Sequence, residues 1–144
     1  MHCEHTTLIE APVASVWRLT TDITAWPTFM PTVQRVERLD SGPLRVGSSA
    51  RLKQPAQTPA VWTVTRLEPM REFSWETRRM GLRMTGRHLL EPVDGGTRNT
   101  LIVDATGRGA GLFAALFGGA IRGTIRRENE AFQRAARQAA GTAA

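Results

Sequence analysis

The chain has 144 residues, of which 41% are hydrophobic and 22% charged, so its composition argues against disorder and against a membrane-embedded chain. A single domain of this length can bury a core without a disulfide framework or a metal. The formal net charge of +6 raises the question of nucleic-acid binding. The 18 arginines and one lysine are scattered, however, and no basic run carries interleaved aromatic residues. We therefore predict that nucleic acid is not a partner.

The N-terminal residues and the single cysteine indicate the compartment. Residues 1–5 are polar, so they do not form a secretory signal. The longest apolar stretch, 110–121, is interrupted by glycines and is shorter than the roughly 20 residues that a membrane-spanning helix needs. Cys3 cannot form an internal disulfide, which favours a reducing compartment. We predict a soluble, cytoplasmic protein without a transmembrane segment.

The first part of the chain predicts one strand followed by two short helices. Residues 5–10 form an extended run, and Pro12 after it is suited to the first turn of a helix. Apolar residues then recur at helical spacing over 13–19. The capping residues at 20–22 predict the start of the second short helix.

Six further strands are predicted from runs of β-forming residues separated by Asp, Ser, Gly and Pro turns. They cover residues 33–39, 49–54, 62–65, 73–76, 82–91 and 97–106. Side chains alternate between the two faces of a strand, so each run also predicts an inner face. The clearest inner face, in the run 82–91, consists of Leu82, Met84, Gly86, His88 and Leu90.

A long amphipathic helix is predicted to close the domain after the glycines at 107, 109 and 111. Its apolar face is predicted to contain Phe117, Ile121, Ile125, Phe132 and Ala136. Residues 141–144 have no apolar periodicity and are expected to form a frayed tail. Residues 1–140 are therefore predicted to be one α+β domain.

The sequence resembles the START-like polyketide cyclase/dehydrase superfamily. The resemblance is carried by APVASVW at 11–17, TD at 21–22 and WPTFMP at 26–31, and later by GTR at 96–98. It implies the helix-grip fold, in which a seven-stranded curved antiparallel sheet surrounds a long C-terminal helix, with two short helices between strands one and two. It also implies a cavity that in this superfamily receives lipids, polyketides, hormones, other hydrophobic molecules or a peptide-like partner. The motifs contain no shared catalytic group, so they do not imply one activity.

The predicted inner face also favours a pocket. A curved sheet cannot contact one helix everywhere, and small inward residues such as Ala50, Gly86 and Ala105 alternate with bulky ones. A filled core remains the alternative. The residues expected to contact a small hydrophobic ligand are Trp26, Phe29, Met30, Leu52, Gln54, Trp62, Val64, Phe73, Trp75, Met84, His88, Asn99, Leu101, Ile121 and Ile125. The geometry of the family implies that the first three lie at the pocket mouth.

His88 and Glu128 are the candidate catalytic residues. The inward position of His88 would let it orient a ligand carbonyl or hydroxyl, or act as a general base, although a hydrogen-bonded core histidine is the alternative. Helical geometry turns Glu128 toward the sheet, where it could pair with His88. Alternatively, Glu128 pairs in solvent with Arg126, Arg127 or an arginine of a strand.

Three functions are compatible with these observations. The first is the binding of a lipid, aromatic or polyketide-like molecule, and the second is a cyclase or dehydratase that uses the same cavity. The third is a peripheral membrane or protein contact through the apolar segment 112–117 beside the basic helix. We expect no cofactor and no metal, because His2, Cys3 and His5 diverge in a strand near a terminus. The oligomeric state is left open.

Overall fold

The alternating segments form seven strands, each antiparallel to its neighbours. The computed structural model describes the backbone of residues 1–143 and the side chains of residues 1–141. The strands are β1 (His2–Ile9), β2 (Arg35–Arg38), β3 (Ser49–Lys53), β4 (Ala60–Glu68), β5 (Glu72–Arg79), β6 (Leu82–Val93) and β7 (Gly96–Gly107). They form one sheet in the order β1-β7-β6-β5-β4-β3-β2, so the predicted seven-stranded helix-grip sheet is confirmed.

Two short helices lie between β1 and β2, as predicted. Helix α1 (Val13–Thr21) begins after Pro12, and a 3-10 helix (Ile23–Thr28) follows it. The capping cluster at 20–22 was expected to start the second helix, but Thr20 and Thr21 belong to the last turn of α1. Their hydroxyls donate to the carbonyls of residues four positions earlier, and the second helix therefore starts at Ile23.

The long helix α2 (Ala110–Ala143) closes the domain. It includes residues 141–143, for which the sequence predicted a frayed tail, whereas Ala144 lies outside the described part of the chain. Within residues 1–143, no helix combines the length and the apolar character that crossing a membrane requires.

Helix α2 is anchored to the edge of the sheet by amide side chains. The side chain of Asn129 donates to the carbonyl of His5 over 3.0 Å, and that of Gln133 donates to the carbonyl of Leu8 over 2.9 Å. These carbonyls belong to β1, the edge strand, whose outer side would otherwise be unpaired. The second half of α2 therefore lies firmly beside β1 and β7, on the inner side of the sheet.

The predicted inner faces of the strands are confirmed by burial. Ala50, Leu52, Trp62, Val64, Phe73, Trp75, His88, Leu90, Leu101 and Ala105 are all at most 9% exposed. On the outer face, charged residues form exposed ion pairs such as Arg83–Glu76 and Arg98–Glu91. Such pairs contribute little to stability, so the inner apolar face holds the fold together.

Burial of the inner residues decreases toward one end of the domain. Along β6, His88 is buried, whereas Met84 is only half-buried. Along α2, Ile125 is 2% exposed, Ile121 is half-buried and Phe117 is 49% exposed. Both gradients point to the end where β6 and α2 begin, which we name the open end. Phe117, the first residue of the predicted apolar face, is therefore only partly covered by the rest of the domain.

Candidate ligand-binding site

An aromatic cluster occupies the centre of the domain, between the sheet and α2. It consists of Trp26, Phe73, Trp75, His88 and Phe132, which come from the 3-10 helix, β5, β6 and α2. The ring centroid of Trp26 lies 5.4 Å from that of Trp75 and 5.6 Å from that of His88. The rings of His88 and Phe132 are 5.9 Å apart and perpendicular. Four predicted site residues therefore meet in one place, together with a helix residue.

Gly86 allows the tryptophans to lie against the backbone of β6. Trp75 is directly opposite Gly86 in the β5–β6 register. A Cβ atom at Gly86 would lie 3.3 Å from the indole of Trp75 and 3.7 Å from that of Trp62. The two indoles are 5.6 Å apart, so they extend the cluster from His88 toward β4. The lining is therefore aromatic over most of its length.

His88 is a buried polar group without a hydrogen-bond partner for Nδ1 among the described residues. The side chain is 6% exposed and is surrounded by the rings of Trp26, Phe73 and Phe132. Burial lowers the pKa of His88 to about 4, so the imidazole is neutral near pH 7. A neutral imidazole offers one donor and one acceptor. His88 can therefore bond a ligand hydroxyl, whichever tautomer it adopts.

Trp62 supplies a second unpaired polar atom. Its Nε1 is buried without a hydrogen-bond partner in the described part of the chain, although an indole N–H usually finds an acceptor when buried. By contrast, the Nε1 of Trp26 donates to the carbonyl of Leu19 over 3.1 Å. Trp62 and His88 therefore differ from Trp26, because each retains an unused polar atom next to the aromatic cluster.

The sequence suggested that Glu128 could pair with His88, but Glu128 forms no such pair. Instead, its Oε1 accepts a hydrogen bond from the hydroxyl of Thr32 over 3.1 Å. Burial raises the pKa of Glu128 to about 7, against the smaller opposing effects of the Thr32 hydrogen bond and the charge of Arg127. Gln54 lies in the same region, where its side-chain amide donates to the carbonyl of Thr32 over 3.4 Å. This polar group joins α2 to the segment that precedes β2.

Asn99 is inward and fully buried, but its amide binds the protein. Its Nδ2 donates to Oδ1 of Asn129 over 2.7 Å, and the Nδ2 of Asn129 contacts Nδ1 of His5 at 2.8 Å. The predicted ligand residue Asn99 thus belongs to the anchor between α2 and the sheet. Its Oδ1 has no partner among the described residues.

The remaining predicted site residues divide by burial. Met30, Leu52, Val64, Leu101 and Ile125 are at most 5% exposed and belong to the packed core. Phe29, Met84 and Ile121 are half-buried. Phe29 contacts Phe132, with ring centroids 5.8 Å apart, in the middle of α2. Met84 and Ile121 lie toward the open end, where their side chains have access to solvent.

The aromatic side chains fill the space that the sequence predicted to be an open chamber. Ring centroids 5.0–6.4 Å apart leave no room for a ligand between them. Two surface depressions, of about 350 and 510 Å³, contain none of the residues predicted to contact a ligand. A ligand at His88 would therefore displace side chains and approach from the open end.

Sequence reasoning missed two residues of this region. Phe132 was assigned to the apolar face of the helix but was not included in the site, although the same stripe could have placed it there. Thr32 gave no signal, because its contact with Glu128 joins residues 96 positions apart.

Known structures with this fold support the same architecture. A protein from Thermus thermophilus is 16% identical, with a TM-score of 0.78 over 96% of this chain and 99% of the other. A START superfamily protein from Mycobacterium smegmatis is 15% identical, with a TM-score of 0.75 over 95% and 97%. The Zhui aromatase/cyclase from a Streptomyces species is 24% identical, with a TM-score of 0.66 over 94% and 95%. At these identities the similarity shows the fold.

The family is shown by the sequence itself. No curated protein matches the chain. The model of one family, described as polyketide cyclase / dehydrase and lipid transport, matches residues 1–139. The resemblance stated from residues 11–31 is thereby confirmed. The chain therefore belongs to the polyketide cyclase / dehydrase and lipid transport family.

Proposed function

We propose that the protein binds a small aromatic molecule that carries a hydroxyl or carbonyl group, in the interior between β4–β6 and α2. The observation that carries this proposal is the pair of buried, unpartnered atoms, His88 Nδ1 and Trp62 Nε1, beside an aromatic cluster. Buried polar atoms normally have partners, because leaving one unpaired costs about 1–3 kcal/mol. A ligand oxygen that bonds either atom would remove that cost.

The lining favours an aromatic ligand over a flexible acyl chain. Trp26, Phe73 and Trp75 present planar faces and edges, which pack well against another ring in stacked or perpendicular geometry. The family description, which includes polyketide cyclases as well as lipid transport, is compatible with such a ligand. Met84 at the open end has a flexible side chain that can adjust to a ligand of irregular shape.

The test uses two ligands that differ in one group, 2-naphthol and naphthalene. Tryptophan fluorescence reports binding, because three of the four tryptophans lie in or next to the cluster. A hydrogen bond that only 2-naphthol can form should make it bind about tenfold more tightly. This preference should be lost in His88→Leu. It should be reduced in Trp62→Phe, which keeps an aromatic ring but removes the indole N–H.

Trp17→Phe is the matched control, because Trp17 lies half-buried in α1 and has no ring contact with the cluster. It should retain the preference for 2-naphthol. The proposal fails if the wild type does not distinguish the two ligands, or if neither ligand nor any other hydroxylated aromatic binds. It also fails if the Trp17 variant loses the preference as completely as the His88 variant.

A second candidate function is the cyclisation or dehydration of a poly-β-ketone chain in the same interior. The observation that favours it is the pKa of Glu128, which burial raises to about 7, where a carboxyl group can exchange protons near neutral pH. His88, with a pKa of about 4, would be a weak base at pH 7. We therefore assign proton transfer to Glu128 in this alternative and ligand orientation to His88.

The enzyme hypothesis is tested with a synthetic poly-β-ketone thioester. Cyclised product should form faster than in buffer, with a rate that changes near pH 7, and Glu128→Gln should abolish this pH dependence. Thr32→Val is the companion variant, because it removes the donor to Glu128 but leaves the carboxyl group, and it should shift the pH profile upward. A rate equal to that of buffer, or a Glu128→Gln variant with the wild-type profile, would contradict this role.

A further inference from the structure

The first part of α2 has an exposed apolar surface at the open end. Between residues 110 and 121 the helix contains only Ala, Gly, Leu, Phe and Ile. Leu112, Leu116 and Phe117 are 67%, 65% and 49% exposed. These three residues lie within about one and a half helical turns. Most exposed apolar side chains of a protein are isolated, so a cluster on one helix marks a contact surface.

The same region is basic and contains no acidic residue. Residues 105–127 include four arginines and neither Asp nor Glu, so they carry +4 of the formal net charge of +6. Arg108, Arg122 and Arg126 form no ion pair with any residue in the described part of the chain. Most arginines of the sheet's outer face, by contrast, are paired with Glu or Asp. The positive charge beside the apolar surface is therefore unneutralised.

A neighbouring turn adds to the surface. A Cβ atom at Gly81, in the turn between β5 and β6, would lie 3.7 Å from Cβ of Arg108, which lies just before α2. Met80 in this turn is 95% exposed. The first turn of α2 also lacks an acidic residue, which leaves the positive end of the helix dipole uncompensated. Exposed apolar side chains and unneutralised positive charge therefore meet at one end of the domain.

We propose that this surface docks the protein on an anionic lipid bilayer. Leucine, phenylalanine and methionine would enter the boundary between headgroups and acyl chains, while Arg108, Arg122 and Arg126 would contact lipid phosphates. The open end of the domain would then face the bilayer, because Phe117 lies at the open end and also belongs to the exposed apolar surface. This inference concerns an external partner and does not depend on which ligand the interior binds.

Charge favours a lipid surface over a second copy of the chain. A two-fold dimer through this surface would place the arginines of one copy against the same arginines of the other. No acidic residue within 105–127 is present to compensate that repulsion. An anionic bilayer supplies the complementary charge, and its apolar layer accepts the exposed leucines.

The test is flotation of the full chain with two kinds of vesicle. One contains phosphatidylcholine alone, and the other contains about 30% phosphatidylglycerol, at low salt and at about 0.15 M salt, because screening weakens surface attraction. Binding to the anionic vesicles should exceed binding to the neutral ones and weaken with salt. Arg122→Gln/Arg126→Gln should lower it about fivefold per arginine removed. Leu112→Ser/Leu116→Ser should lower it at least about tenfold.

Matched variants elsewhere on the surface control for charge and apolar content. Arg35→Gln/Arg71→Gln removes two exposed arginines, and Leu39→Ser/Val46→Ser removes two side chains that are 43% and 60% exposed. Both controls should bind like the wild type. Absence of flotation at low salt would overturn the proposal, as would equal losses in test and control variants. A dimer in sedimentation equilibrium that Leu112→Ser/Leu116→Ser dissociates would also overturn it, because the occupant would then be a second copy.

Discussion

The carboxyl group of Glu128 should make the protein less stable as the pH rises through 7. Its pKa is about 7 in the folded chain, against an ordinary value of 4.5, because burial penalises the charged form. The folded state therefore holds the proton more tightly than the unfolded state does. The resulting stabilisation is fully present below about pH 4.5 and is lost as the pH rises through 7. Thr32 remains within hydrogen-bond reach, but its donation does not offset the burial.

The magnitude follows from the two pKa values. A difference of one pKa unit between the folded and unfolded states corresponds to about 1.4 kcal/mol of stability. For Glu128 the pKa is about 7 in the folded chain and 4.5 ordinarily, so full ionisation should lower the free energy of unfolding by about 3 kcal/mol. Glu128→Gln keeps an oxygen that can accept from Thr32 but removes the titration. We expect this variant to match the wild type near pH 4 and to exceed its free energy of unfolding by about 3 kcal/mol near pH 9.

His88 contributes to the pH dependence of stability with the opposite sign. Its contribution must therefore be separated from that of Glu128. Its pKa is about 4 in the folded chain, against 6.5 ordinarily, so its contribution is present above pH 6.5 and is lost as the pH falls through 4. Subtracting the free energy of unfolding of the wild type from that of Glu128→Gln at each pH cancels this term. Urea denaturation at about one-unit steps from pH 4 to pH 9 provides the values. A difference that does not change over this range would refute the raised pKa of Glu128.

Two other variants test the packing around the site. Gly86→Ala places a methyl group 3.3 Å from the indole of Trp75. It should lower the free energy of unfolding by about 1–3 kcal/mol and change the near-UV circular dichroism spectrum. An unchanged spectrum and an unchanged stability would contradict this geometry. Asn129→Leu leaves the buried Nδ2 of Asn99 without its acceptor and removes the bond from Asn129 to the carbonyl of His5. It should lower the free energy of unfolding by about 2–4 kcal/mol and speed amide hydrogen exchange in β1. If stability and exchange in β1 stay unchanged, Asn129 does not anchor the helix.

Local patterns predicted most of the sheet. The two-residue alternation of 82–91 correctly placed His88 inside, because side-chain direction in a strand depends only on position along it. The start of β1 was missed by three residues, since residues 2–4 are polar and become strand only through pairing with β7. Pairing partners are not encoded in a local pattern, so this boundary required the fold.

The contacts within the site could be predicted less well. Parity correctly placed Asn99 inside, but its partner Asn129 is 30 residues away on another element. The same applies to Glu128, which was expected to pair with His88 but accepts from Thr32, 96 residues away in the chain. Phe117 has the periodicity of a core residue, yet its exposure depends on where the sheet ends over the helix. Periodicity predicts the direction in which a side chain points. Its burial by other elements and its hydrogen-bond partners depend on the tertiary structure.

The ¹⁵N spectrum of the histidines, recorded with and without bound 2-naphthol, tests directly whether a ligand hydroxyl bonds His88. The chain has three histidines, and His88→Leu assigns the resonances of the buried one. If the ligand hydroxyl bonds the unpartnered Nδ1, the Nδ1 resonance of His88 should move on saturation, while those of His2 and His5 should stay in place. If tryptophan fluorescence shows that 2-naphthol saturates the protein while the His88 resonance stays unchanged, the proposed hydrogen bond to His88 is wrong.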